Sequence, residues 1–310
     1  MSDRIPFRVR PMLATLVPEP FHAPGWVYEE KYDGYRVLAY KEGASVTLLS
    51  RNGNDKTETF ADVAAALARL PDRTLLLDGE VVAFDRKKVS RFQLLQRGDV
   101  SRTYAVFDCL YRNGEDLRRR PLSERRARLE RALGKGPAKL FLSRRLADNG
   151  LAAYRIAKRR GFEGLVAKDP ASPYVEGRSR YWLKVKVHRE EEFVIGGFTP
   201  PRGGRRHLGA LLLGAYAGKD LRFVGKVGTG FSEKTLASLA KTLAPSARAK
   251  PPFVDPPREP GATWLAPRAV AQVAFQEWTA DGKLRQPVFL GLRDDKEPRE
   301  VRLPAEFASV

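Results

Sequence analysis

"VYEEKYDGYRV", residues 27–37, mixes two kinds of residue that rarely share so short a run. Val27, Tyr28, Tyr32 and Val37 suit a strand. Glu29, Glu30, Asp33 and Arg36 crowd around Lys31, and Gly34 follows closely. Two readings stand open. In one, the run is a solvated edge strand, where lysine and other charges are ordinary. In the other, the strand holds Lys31 still for chemistry, and its charged neighbours serve that task.

The composition narrows the field around this stretch. The 310-residue chain carries 56 Lys+Arg against 37 Asp+Glu, a net charge of +19. That excess points to a polyanionic partner, foremost nucleic acid, because clustered cations gain by neutralising phosphates. With 43% hydrophobic and 30% charged residues, the chain is globular and long enough for two domains. The opening "MSDRIPFRVRP" lacks a signal-peptide core, and no run reaches transmembrane length, so a cytoplasmic protein without membrane association is expected. Cys109 is the single cysteine and the three histidines are scattered, which leaves no disulfide and no clustered zinc site.

Periodicity divides the chain in two. "ETFADVAAALARL", "PLSERRARLERAL" and "NGLAAYRIAKRRG" have helical spacing, whereas "RTLLLDGEVVAF", "SRTYAVFDCLYRNG", "EGLVAKDP" and "SRYWLKVKVH" suit strands. Beyond "HREEEF" the texture changes to short strands with glycine turns, interrupted by the helix "SEKTLASLAKTLA". The boundary is expected near His188, giving an α+β domain over 1–187 and a small antiparallel barrel over 188–310. The proline-rich "APSARAKPPFVDPPREPGATW" is expected as an extended surface connection inside that barrel.

Taken singly, each motif has a bland reading. "SRNG" (50–53) passes as a turn, "YAVFDCL" as a core strand, and "LDGEVVAF" as a turn joining strands. Their order carries more. The chain runs "EKYDGYR", "SRNG", "LDGEVVAF", "YAVFDCL", "EGLVAKDP", "WLKVK" and "FLGLRDDKEPREV". This series resembles the covalent nucleotidyltransferase superfamily, which includes ATP-dependent DNA ligases, RNA ligases and mRNA capping enzymes. "RPMLATLV", "EGRSRYWLKVK" and "FLGLRDDKEPREV" are similar to the ligase module of bacterial ligase D, the end-joining enzyme, and its stand-alone relatives. The resemblance covers nearly the whole chain. It implies an α+β nucleotidyltransferase (ATP-grasp-like adenylation) domain followed by an all-β OB-fold barrel.

A residue-by-residue expectation follows from the resemblance. Lys31 is the nucleophile that takes AMP from ATP. A free lysine, with a pKa near ~10.4, is only about a thousandth neutral at physiological pH, so it needs activation. Lys184 and Lys186, two apart on a strand, share a face; in the family such lysines lie beside the α-phosphate, where they would depress the pKa of Lys31 and stabilise developing charge. Glu29 is implied to read the adenine edge and Phe107 to stack on the ring. Arg36 and Arg51 would hold the sugar and phosphate side, and Glu80 the ribose hydroxyls. Glu163, with Asp33 as a second candidate, would bind a divalent ion, Mg2+ or Mn2+. Arg293, Asp295 and Lys296 match a motif that orients the pyrophosphate, which implies a domain-closure step.

The implied function is sealing of nicked double-stranded DNA in repair, by a monomer, with Ku and a repair polymerase as candidate partners. An RNA ligase or capping-type enzyme shares the lysine chemistry, and a non-catalytic DNA-binding protein with a ligase fold is the rival of another class. Cys109 is expected as buried packing, and His22, His188 and His207 as surface or loop residues. Arg178 and Arg180 stand open between a phosphate contact and a solvated basic loop. "RGGRRH" (202–207) is expected to touch the DNA backbone without reading sequence.

Overall fold

In the computed structural model, which describes residues 5–95, 100–187, 190–201, 203 and 206–307, the chain divides into two compact units, 1–188 and 189–310. The first begins with β1 (Met12–Leu16), β2 (Val27–Lys31), β3 (Tyr35–Glu42) and β4 (Ser45–Ser50). Then come α1 (Ala61–Ala68), β5 (Thr74–Val82), α2 (Phe92–Leu95), β6 (Thr103–Arg112), β7 (Glu115–Asp116) and α3 (Leu122–Leu133). The unit ends with β8 (Leu140–Leu142), β9 (Arg145–Ala147), α4 (Gly150–Arg160), β10 (Gly164–Lys168) and β11 (Gly177–Lys186).

These strands form two sheets. One runs β1-β11-β10-β2-β9; the other runs β4-β3-β5-β6-β7, with β8 pairing alongside β6. The opening stretch is therefore not an edge strand. β2 lies inside the first sheet, paired with β10 on one side and β9 on the other. Its charges follow the strand alternation: Tyr28 packs with Ala153 of α4 and Leu165, whereas Lys31 and Glu29 point the other way.

The unit is layered accordingly. Met12, Leu38, Tyr40, Leu76, Phe107 and Trp182, drawn from both sheets, fill the space between their inner faces. On the second sheet's outer face, Val63 and Leu67 of α1 and Leu129 and Leu133 of α3 pack on Val37, Leu75 and Val106. Helix α4 is capped by Asn149, whose Oδ1 accepts from the backbone of Leu151 and Ala152, and it ends at Gly161 in the left-handed conformation. Helix α3 has a polar sequence, yet Arg125 and Arg126 are buried on it. Arg125 forms a two-pronged pair with Asp108 of β6, at 2.8 Å on each prong, which pins the helix to the sheet.

The second unit contains β12 (Glu190–Phe198), β13 (Leu211–Ala217), β14 (Asp220–Val227), α5 (Glu233–Leu243), β15 (Ala247–Arg248), β16 (Thr263–Ala274), β17 (Glu277–Trp278), β18 (Leu284–Arg285) and β19 (Val288–Leu292). An antiparallel sheet runs β14-β13-β12-β16-β15, and β19 also pairs with β16. Helix α5, capped by Ser232, buries Leu236, Leu239 and Leu243 in this unit's core. The expected β-rich domain with one inserted helix is present, but among the described residues its ladder does not close into a continuous barrel. One bond, Phe289 N–H to the Thr229 carbonyl at 2.9 Å, reaches from β19 toward the end of β14. The proline-rich connection is anchored as well as exposed: Phe253 is buried among Phe223 and Trp264.

Candidate active site

The strand register places the lysines. Across three neighbouring strands, Lys31 of β2, Gly164 of β10 and Lys186 of β11 form one row, and Glu29, Val166 and Lys184 form the next. Residues directly opposite share a face, so Lys31, Lys184, Lys186 and Glu29 all point toward the second sheet. Gly164 lets the row close up: a Cβ there would stand 2.1 Å from the Val185 carbonyl oxygen. Gly34 plays the matching part after Lys31, since its Cβ would meet the Val81 carbonyl oxygen at 2.2 Å.

Lys31 is ion-paired with Glu163, the residue just before β10. Burial pulls the pKa of Lys31 down, but Glu163, by charge and hydrogen bond, and then Asp33 and Glu80 outweigh it, and the net shift is upward. The carboxylates around Lys31 thus oppose the downward shift expected from Lys184 and Lys186. The amine waits as an ammonium. Asp33 has a further task. Its Oδ2 accepts the Phe92 N–H at 2.9 Å and its own N–H donates to Ser90 Oγ at 3.0 Å, which ties the Lys31 loop to residues 85–92.

Glu29 is 2% exposed and heavily engaged. Arg126 donates to Oε1; Ser143 Oγ and Lys168 Nζ reach Oε2 at 2.6 and 2.8 Å. The expected reader of adenine is thus also the anion of a buried network. Burial pulls the pKa of Lys168 below its ordinary value despite that ion pair. Phe107, expected to stack on the adenine ring, is 8% exposed and carries the Arg36 guanidinium 4.4 Å and the Lys168 ammonium 4.5 Å from its ring centre.

Arg36, from β3, is gripped by Asp78 through Nε at 2.5 Å and Nη2 at 2.6 Å, and Nη2 also reaches the Met12 carbonyl. Tyr174 Oη donates to the same carboxylate at 2.7 Å. Glu80, two residues after Asp78 on β5, lies near enough to Lys31 to raise its pKa. Arg51 sits in a turn closed by the Gly53 N–H to the Ser50 carbonyl, as "SRNG" suggests. In the second unit, Arg293 pairs with Asp295 at 2.8 Å on both prongs and donates to Gln272 at 3.1 Å; Lys296 stands 3.5 Å from Glu192.

Sequence reasoning missed Arg126, Ser143, Lys168, Asp78, Tyr174 and Trp182. Lys168 and Asp78 stand inside blocks already singled out, but Arg126 reads as one more surface charge on a polar helix. Elsewhere, burial pushes Cys109 up to about 12, in keeping with packing. His22 and His207 are exposed, as are Arg178 and Arg180, and Arg178 bonds the Ala14 carbonyl at 3.0 Å. His188 and three of the six "RGGRRH" residues, 202, 204 and 205, fall outside the described residues.

No cluster of three or more His, Cys, Asp or Glu side chains able to hold a metal occurs among the described residues. A Mg2+ site built from one or two carboxylates and substrate phosphates needs no such cluster. Glu163, a carboxylate already facing the amine, fits that mode; Asp33, committed to the Phe92 amide, fits it less well.

A lysine on an inner strand, faced by carboxylates between two sheets and followed by a separate β-rich unit, defines a nucleotidyltransferase architecture. The chain belongs to the ATP-dependent DNA ligase family: residues 11–186 match "ATP dependent DNA ligase domain" and residues 204–296 match its "C terminal region". It is 42% identical, over 96% of its length, to the multifunctional non-homologous end joining protein LigD of Pseudomonas aeruginosa, and 40% identical over 94% to that of Mycolicibacterium smegmatis. It spans only 37% and 39% of those two relatives. Among solved structures, a mycobacterial DNA ligase D complexed with ATP and MES matches 97% of this chain and all of its own, at 35% identity and a TM-score of 0.74. The ligase domain of M. tuberculosis LigD is 37% identical over 96% of this chain, with a TM-score of 0.55.

Proposed function

We propose that this chain is an ATP-dependent DNA ligase that seals 5′-phosphate/3′-hydroxyl nicks through a lysine–AMP intermediate, in the service of DNA end joining. The observation that carries the reading is the row Lys31–Gly164–Lys186, with Glu163 against the amine. Lys31 gives up a proton and its Nζ bonds the α-phosphorus of ATP, while the bond to the β-phosphate oxygen breaks and pyrophosphate leaves. AMP then passes from Lys31 to a DNA 5′-phosphate oxygen. The 3′-hydroxyl finally attacks that 5′-phosphorus and expels AMP.

Each side chain has a part. Lys184 and Lys186 meet the charge that develops on the α-phosphate oxygens. Glu29, held by Arg126, Ser143 and Lys168, receives the adenine amino group; Phe107 supports the ring; Glu80 takes the ribose hydroxyls. Arg36 and Arg51 serve the sugar–phosphate side, and Arg293, Asp295 and Lys296 the pyrophosphate. Glu163, with Asp33 as the weaker candidate, would hold a divalent ion, which when bound neutralises phosphate charge and offsets the carboxylate that keeps Lys31 protonated. Nicked duplex DNA is the proposed substrate; Ku and a repair polymerase are the proposed partners of a monomer acting in the cytoplasm.

The test is sealing of matched nicked duplexes with DNA or RNA on either side of the nick, with ATP and magnesium. DNA–DNA sealing is expected. Sealing confined to RNA, or none from a protein that adenylates normally, would overturn the choice of substrate.

A further inference from the structure

Two basic tripeptides far apart in sequence meet on one flank of the first unit, and no role above uses either. Arg86, Lys87 and Lys88 form the exposed tip of a turn between β5 and α2; Lys158, Arg159 and Arg160 form the exposed last turn of α4. Val89, just after the first tripeptide, is 1% exposed and packs with Ala157 and Phe162, which bracket the second. Six cations are thereby gathered around one apolar contact.

Three features make this a shaped surface. The tip is rigid: Asp85 Oδ1 accepts the Lys87 and Val89 amides at 2.9 and 3.0 Å, and the Val89 carbonyl accepts the Asp85 amide at 2.9 Å. The nearest acid on the turn, Asp85, is occupied by those amides and by Arg91 at 3.3 Å, and among the described residues none of the six cations makes an ion pair within 4 Å, although Arg160 lies near enough to Glu30 to pull its pKa down. Third, the turn is coupled to the nucleophile, because Ser90 and Phe92 are the residues that Asp33 grips. Placing cations at the α4 C-terminus also satisfies that helix's carbonyl end, but this explains only three of them.

We propose that this double tripeptide is a phosphate-backbone grip for duplex DNA, and that it anchors the duplex to the element that carries Lys31. The proposal rests on the ligase reading for its substrate. Exposed cations without a close ion pair, carried on hydrogen-bonded backbone, suit a polyanion of regular charge spacing, and a sequence-independent sealing reaction needs contacts that read phosphates only.

The experiment measures binding of a nicked duplex at several salt concentrations by full-length chains. Two carry Arg86→Ala/Lys87→Ala/Lys88→Ala or Lys158→Ala/Arg159→Ala/Arg160→Ala. A control, Arg73→Ala/Arg131→Ala/Lys135→Ala, removes the same charge from other exposed sites of the unit. With a slope of about 0.9 per phosphate contact, removing three cations is expected to flatten log K against log salt by about 2.7 in each grip variant and to weaken binding at least tenfold. The control should keep the parent slope, and all three should still take AMP from ATP. Grip variants that bind like the parent, or a control that loses as much as they do, would overturn the proposal. Loss of AMP transfer by the unsubstituted chain would instead sink the ligase reading and leave the binding result standing on its own.

Discussion

Replacing Glu30 by glutamine isolates a single buried proton. Glu30 sits between Glu29 and Lys31 but points to the opposite face of β2, and it is 3% exposed. Its carboxylate has no hydrogen-bond partner among the described residues, although the Arg144 guanidinium stands 3.0 Å away. Burial raises its pKa from the ordinary 4.5 to about 7, against the opposing pull of Arg144 and Arg160. The folded chain therefore holds this proton more tightly than the unfolded one. Stability from this group is full below the unfolded pKa and falls as pH rises toward about 7, where the folded carboxyl ionises. The loss over that window is about 3 kcal/mol. Glutamine cannot titrate, so the difference in unfolding free energy between Glu30→Gln and the parent should swing by about 3 kcal/mol in the variant's favour from pH 4.5 to 7.5. Urea unfolding of the two proteins in parallel measures it. A constant difference across that range would refute the buried, poorly satisfied carboxyl.

Gly164→Ala should press its methyl into the Val185 carbonyl, separate β10 from β11 and shift Lys186 relative to Lys31, slowing AMP transfer on the order of a hundredfold in a single-turnover assay. Glu29→Ala leaves the buried Arg126 and Lys168 without their anion and should cost about 3–5 kcal/mol by urea unfolding. Asp108→Ala strips Arg125 of its two-pronged partner inside the fold and should cost a similar ~3–5 kcal/mol, measured the same way.

Helices α1, α3 and α4 and strands β5, β6, β10 and β11 could be read from periodicity, and so could the shared face of Lys184 and Lys186, because strand parity is local. The sequence also changes texture after "HREEEF", near where the two compact units divide. What it could not show is which charges are turned inward. Arg125 and Arg126 lie on a helix whose composition reads as solvated, yet both are buried because carboxylates of distant strands wait for them. Lys168 shows the same limit: its strand is recognisable, but its ring contacts need Phe107 and Trp182 brought in from two other strands. The upward direction of the Lys31 shift is not legible in sequence for a related reason. Basic neighbours two apart on one strand are visible in sequence, whereas the carboxylates of Glu163 and Glu80 arrive through tertiary pairing.

The covalent bond between Lys31 and AMP is the step on which every other role proposed for this site depends. The intact mass of the purified chain is recorded first, so that protein already adenylated is recognised. It is then incubated with ATP labelled at the α-phosphate and with magnesium. The predicted result is one AMP per chain, mapped to the peptide bearing Lys31, discharged by pyrophosphate and absent from Lys31→Ala. An adduct on another residue, or none on a chain whose mass shows Lys31 unmodified at the start, would contradict it.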